Sequence, residues 1–231
     1  HLKLQAHTFG NFPAHQMRLP GLVADALPDG WGLLLMDRLF RKRGIVPGPL
    51  DRLAFIGNCA MGALNFVPPD DFDLHAEDWS LLSLAQESQQ VLSGKDTKAL
   101  LELLVTGGSP QGACPKALVQ YDKSMQYDKT TQQISTLSDA AGEPWLVKFQ
   151  AYGEHKEACA IEHLYAHMAR QCGIDMPDTL YFDLSAKLSA FGIARFDREA
   201  GLRVPIHSLA GLLHADFRLP ALDYATFLRA T

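Results

Sequence analysis

The sequence predicts an α+β fold, an antiparallel sheet made from neighbouring hairpins with helices before it, between its two halves and after it. Three observations carry that prediction. Apolar residues recur at helical spacing through the first hundred positions, between Gly and Pro punctuation. Four short apolar runs, at 117–121, 145–150, 179–184 and 188–195, fall into two adjacent pairs, as hairpin strands do. One long amphipathic stretch at 155–171 separates the pairs.

The elements follow in order. Asp29 stands where a helix N-cap belongs, Leu35, Leu39 and Phe40 space a helix over 33–42, and Gly44 is a natural stop. Pro47-Gly48-Pro49 punctuates, 50–56 reads as a short helix, and 62–67, ahead of Pro68-Pro69, reads as a strand, with 68–73 as a linker. Two helices come next, at 79–92 with Leu81, Leu84, Ala85, Ser88 and Val91 on one face, and at 97–105 with Leu100, Leu101, Leu104 and Val105. Tyr121-Asp122-Lys123 is echoed at Tyr127-Asp128-Lys129, a span too short for a repeat architecture and read as a hairpin tip or extended loop. Ile161, Leu164, Tyr165, Met168 and Cys172 mark the helix over 155–171, which Gly173 ends; 208–213 and 224–230 turn helical again.

A length of 231 residues suits one or two domains, and 47% hydrophobic with 20% charged residues suits a chain that buries a core. The net charge of -5 argues against direct nucleic-acid binding, which leaves a basic footprint. The dense basic run Arg38, Arg41, Lys42, Arg43 closes a predicted helix, where cations stabilise the C-terminal end of the dipole. Cys59, Cys114, Cys159 and Cys172 form no CxxC pair and the nine histidines no HExxH, so neither a structural zinc nor a disulfide framework is expected. His207, His214 and Asp216 lack a third ligand or a nucleophile and read as core or surface residues. No signal segment and no apolar run of roughly 20 residues is visible, which predicts a cytoplasmic protein with no membrane span. The start at His1 and the unstopped helical pattern before Thr231 read as cuts from something longer.

Chemistry concentrates in Gly107-Gly108-Ser109-Pro110-Gln111-Gly112-Ala113-Cys114-Pro115-Lys116, followed downstream by Trp145-Leu146-Val147-Lys148-Phe149. A glycine loop ahead of an apolar strand carrying one lysine is how a kinase-like N-lobe covers and grips ATP phosphates. Flanked by Val147 and Phe149, Lys148 points its ammonium away from its apolar neighbours, where it can meet a phosphate; alone, it reads more readily as a solvated strand lysine, and the glycine loop upstream reverses that. A helix carboxylate must hold such a lysine, and Glu162 or, one turn before Ile161, Glu157 can do so, unless they are ordinary flanking charges. Glycines allow close backbone approach to phosphate, while Ser109 before Pro110 is, on its own, a turn residue.

The chain resembles the HipA family of bacterial serine/threonine kinases, the toxins of HipA/HipB toxin-antitoxin systems. The matching stretches, in order, are Leu27-Pro-Asp-Gly-Trp-Gly32, Gly62-Ala-Leu64, the glycine loop, Leu146-Val-Lys-Phe149, Ile161-Glu162, Gly173-Ile-Asp-Met-Pro177, Arg195-Phe-Asp-Arg198 and the segment from His207 to Arg218. The resemblance implies an N-terminal subdomain over 1–72, a kinase-like N-lobe with leading helices over 73–198, and the hinge exit with an incomplete helical C-lobe over 199–231. It implies ATP binding by Gly108, Ser109, Gly112, Ala113, Lys148 and Glu162, with backbone groups of Ala194 and Phe196 meeting the adenine edge. Ser109 matches the serine that the family autophosphorylates to switch itself off, and Cys114 stands where relatives often carry arginine. Phosphoryl transfer also needs a positioning carboxylate and Mg2+ ligands, which the resemblance places beyond Thr231; this chain alone is then expected to be inactive. The implied partners are a HipB-like DNA-binding antitoxin, through which DNA is mainly reached, and a protein substrate such as an aminoacyl-tRNA synthetase. Two other readings compete: a non-catalytic regulatory or interaction fragment that binds an antitoxin or another protomer, and a lipid-kinase-like or ATP-grasp enzyme, which the matches before residue 72 oppose.

Overall fold

The computed structural model describes residues 10–70, 78–97, 100–107, 110–124, 134–220 and 222–230. Gly108 and Ser109, the second half of the Tyr-Asp-Lys echo and residues 71–73 of the linker lie outside them.

A short 3-10 turn (Ala14–Gln16) and helix α1 (Gly21–Ala24) lead into α2 (Gly30–Lys42) and α3 (Pro49–Ile56). Helix α2 buries Trp31, Leu35, Met36, Leu39 and Phe40 and ends on Gly44, whose positive φ of 68° suits a glycine stop. Helix α4 (Leu81–Leu92) starts at Ser80, whose hydroxyl accepts the Ser83 N–H at 3.1 Å, and it buries the face that its spacing predicts. Helix α5 (Leu100–Gly107) then delivers the chain to the loop and the sheet.

Among the described residues the sheet has five antiparallel strands, β1 (Lys116–Tyr121), β2 (Ile134–Ser135), β3 (Glu143–Phe149), β4 (Thr179–Asp183) and β5 (Ser189–Ala194), in the order β2-β1-β3-β5-β4. Helix α6 (Glu157–Gln171) connects the two hairpins and packs on β4 and β5. A small hairpin of β6 (Arg198–Glu199) and β7 (Leu202–Arg203) follows, then α7 (Leu209–Leu213) and α8 (Tyr224–Ala230). Strand alternation gives the sheet two faces. Ala117, Val119, Trp145, Val147 and Phe149 point into one core shared with α2, α4 and α5. Lys116, Leu118, Leu146 and Lys148 belong to the opposite face.

Two expectations change. The 62–67 segment is not a strand: Gly62 adopts φ 72°, its backbone binds Asp197, Arg198 and Arg203 side chains, and Phe66 N–H donates to Gly57 O, so no ladder forms. In α6 the stripe of Ile161, Leu164, Tyr165 and Met168 is exposed, and Cys159 and Ala166 on the opposite side pack inward.

Candidate functional site

Strand β3 sets the position of Lys148. Its neighbours Val147 and Phe149 are buried, so strand alternation turns the lysine to the other face, where its side chain is 36% exposed. Its Nζ donates to Glu162 Oε2 at 3.1 Å, from the second turn of α6, and stands 5.8 Å from the centre of the Phe191 ring on β5. Glu162, not Glu157, makes that pair; Glu157 instead lies 3.5 Å from His155 Nδ1. A half-exposed ion pair of this kind adds little stability, but it holds a long cation in one orientation.

The glycine loop ends on this same face. Lys116 opens β1 directly across from Lys148 and is almost completely buried. It donates to the Gln111 carbonyl and, at 3.0 Å, to the Gly112 carbonyl. Burial pushes its ammonium below the usual lysine range, and the nearby Asp29 charge opposes that shift. A cavity of about 440 Å³ lies between Leu146, Pro110 and Gln111 on one side and Met61, Leu64 and Ile206 on the other. Its lining is mostly apolar, with Asp25, Gln111 and Ser208 as polar members, which suits a flat heterocycle bearing a few polar groups.

Past β5 the chain turns at Arg195-Phe196-Asp197-Arg198. Ala194 pairs with Trp145 and its N–H donates to Asp178 O at 2.8 Å, while the Phe196 side chain is largely exposed. Asp197 is 0% exposed, where a surface ion pair is the simple expectation for such a turn. It accepts from Arg195 Nε and Nη2 at 2.8 and 2.7 Å, from Arg198 Nη1 at 2.7 Å and from Gly62 N–H at 2.8 Å. Arg203 adds bonds to the carbonyls of Gly62 and Ala60, at 3.0 and 2.7 Å. The turn is thereby fastened to the N-terminal segment. Burial raises the carboxyl's proton affinity, but the hydrogen bonds and charges of Arg195 and Arg198 and the Gly62 N–H outweigh it and hold Asp197 below the usual carboxylate range.

Two family models match the chain: the HipA N-terminal domain over residues 1–67 and the HipA-like C-terminal domain over residues 108–231. The chain belongs to the HipA family. No curated protein matches it. Among solved structures it is similar to a chain of the Shewanella oneidensis MR-1 toxin-antitoxin complex of HipA, HipB and operator DNA, with 19% identity and a TM-score of 0.48. That match covers 84% of this chain and 42% of the other, so this chain spans less than half the length of that relative.

Within this HipA-family chain, the site contains residues that sequence reasoning passed over. Asp29 reads as a helix cap, yet it makes no cap hydrogen bond and serves the glycine loop instead. Lys116 stands in the sequence as a basic group that, like Lys148, could shift from ATP to a phosphorylated Ser109; its burial opposite Lys148 and its bonds to loop carbonyls emerge only from the fold. Gly62-Ala63-Leu64 carries the family pattern without a visible purpose until Asp197 is found on the Gly62 N–H.

Proposed function

We propose that this HipA-family chain carries the nucleotide-gripping part of a serine/threonine protein kinase toxin. The observation that carries the reading is the Lys148–Glu162 pair, a strand lysine held by a helix carboxylate on the sheet face where the glycine loop ends. Lys148 would hold ATP phosphates, Glu162 would orient it, and Gly112 and Ala113 would border the phosphates through their backbone. The cavity beside Leu146 would take the base; Ala194 and Phe196, which the family resemblance sets against the adenine edge, do not line it. Bound ATP and Mg2+ supply the transferable phosphoryl group and neutralise its charge. Among the described residues no group of three or more His, Cys, Asp or Glu is arranged around a metal position, and we assign no magnesium ligand here.

From the family we further propose that Ser109 is autophosphorylated, that a HipB-like DNA-binding antitoxin holds the toxin in the cytoplasm and brings it to DNA, and that its substrate is a cytosolic protein such as an aminoacyl-tRNA synthetase. The kinase-like lobe within 73–198 follows from the same reading. A regulatory fragment that binds an antitoxin or another protomer is the second reading, favoured by the exposed apolar stripe of α6.

The test is intact and peptide mass spectrometry of the protein expressed from its complete reading frame, wild type beside Lys148→Ala, after incubation with Mg-ATP. The kinase reading expects phosphate on Ser109 in the wild type and none in the variant. If neither protein binds ATP or gains phosphate, the kinase reading fails and the interaction reading replaces it.

A further inference from the structure

We propose that Asp29 and Lys116 are positioning residues that clasp the outgoing limb of the glycine loop to α2, holding it in register with Lys148 for the phosphates of a nucleotide. The proposal rests on the nucleotide-binding reading above and adds to it the residues that place the loop.

Gly112 is held at both its backbone groups. Its N–H donates to Asp29 Oδ1, and its carbonyl accepts from Trp31 N–H at 3.1 Å and from Lys116 Nζ at 3.0 Å. Gln111 is fixed on either side of its own chain: its carbonyl accepts from Lys116, and its amide donates to Asp25 O at 3.2 Å. The first turn of α2 therefore satisfies its free backbone donor at Trp31 with a loop carbonyl. Its cap carboxylate turns outward to a loop amide 83 positions away.

The approach is closer than any side chain allows. A Cβ on Gly30 would stand 2.7 to 2.8 Å from the backbone of Gly112 and Ala113, and Gly30 also sits at φ 37°. Glycine there lets the two backbones touch. A buried lysine costs free energy unless its donors are satisfied. Lys116 binds carbonyls of the loop, and the charges that face it are the carboxylates of Asp29 and Glu162 on one side of the balance and Lys148 on the other, with the Cys114 thiol beside them. The clasp uses that cation to bind backbone, so the loop limb has one place to sit relative to Lys148.

The test measures affinities for ATP and for adenosine in the protein expressed from its complete reading frame, for wild type, Asp29→Ala, Asp29→Asn and Lys116→Met. Loss of one or two positioning bonds is expected to weaken ATP by about tenfold in Asp29→Ala and Lys116→Met. Adenosine, which has no phosphate for the loop to meet, is expected to bind all four proteins alike. Asp29→Asn keeps an acceptor for the Gly112 N–H and is expected to stay near wild type. Equal loss of ATP and adenosine, or no loss of either, overturns the clasp and leaves nucleotide binding standing. A wild type that binds adenosine or ATP not at all overturns the nucleotide reading itself, and the clasp with it. Two variants on opposite ends of the clasp keep the comparison open if one of them fails to fold.

Discussion

Asp197 is the residue whose behaviour differs most from what its neighbours in sequence suggest. Asp-Arg at a strand end reads as a solvated turn, but here the carboxylate is sealed between two guanidinium groups and a backbone amide from a segment 135 positions away. Replacing it by Ala leaves Arg195 and Arg198 facing one another without an anion, and removing one partner of a buried pair costs about 3–5 kcal/mol. Urea titration of Asp197→Ala is expected to show a loss of that order. The pH dependence has a definite sign. The folded-state value lies below the ordinary 3.8, so ionised Asp197 stabilises the fold above that pH, and its contribution drains as pH falls from there through the folded value. Between pH 5 and pH 3 the wild type is therefore expected to lose more stability than Asp197→Asn, whose side chain does not titrate. Equal losses would remove Asp197 from the acid response.

At the scale of elements, α4 and α6 were equally legible as helices but not equally legible in orientation. Helix α4 buries the stripe its spacing marks, because one side of it faces the sheet and the other faces solvent. Helix α6 carries small residues, Cys159 and Ala166, where it meets β4 and β5, and keeps its larger apolar residues outside. A close helix–sheet approach needs small side chains at the contact, so the stripe with more hydrophobic area is not the packed one. Leu164, at 58% exposure, is thus expected to tolerate Leu164→Ser within about 0.5 kcal/mol, whereas Leu84→Ala in α4, fully buried, is expected to cost about 2–5 kcal/mol. Chemical denaturation of the two variants checks both figures. The β6–β7 hairpin went unread for a different reason. Its turn places Ala200 at φ 48° and Gly201 at φ 78°, and Ala does not announce a left-handed position as Asn or Gly would.

Across the whole molecule one core joins α2 before residue 43 to α4, α5 and the inner face of the sheet. Trp31 on α2 and Trp145 on β3 are both almost completely buried in it. The segment before the linker and the sheet after it are expected to unfold together, so within each of a Trp31→Phe and a Trp145→Phe variant, fluorescence and far-UV circular dichroism should give coincident single transitions. Separate midpoints for the two probes would mean two independent units. Sequence by itself determined the longer helices, the four longer strands with their pairing and the family, because periodicity, turn residues and ordered motifs are local properties of the chain. Tertiary structure alone decided that Asp29 holds Gly112 rather than its own helix, that Lys116 is buried at the site and that Asp197 anchors Gly62. Each of these depends on which distant segments share a surface. Burial and hydrogen-bond partners follow from that packing, and no local pattern specifies it.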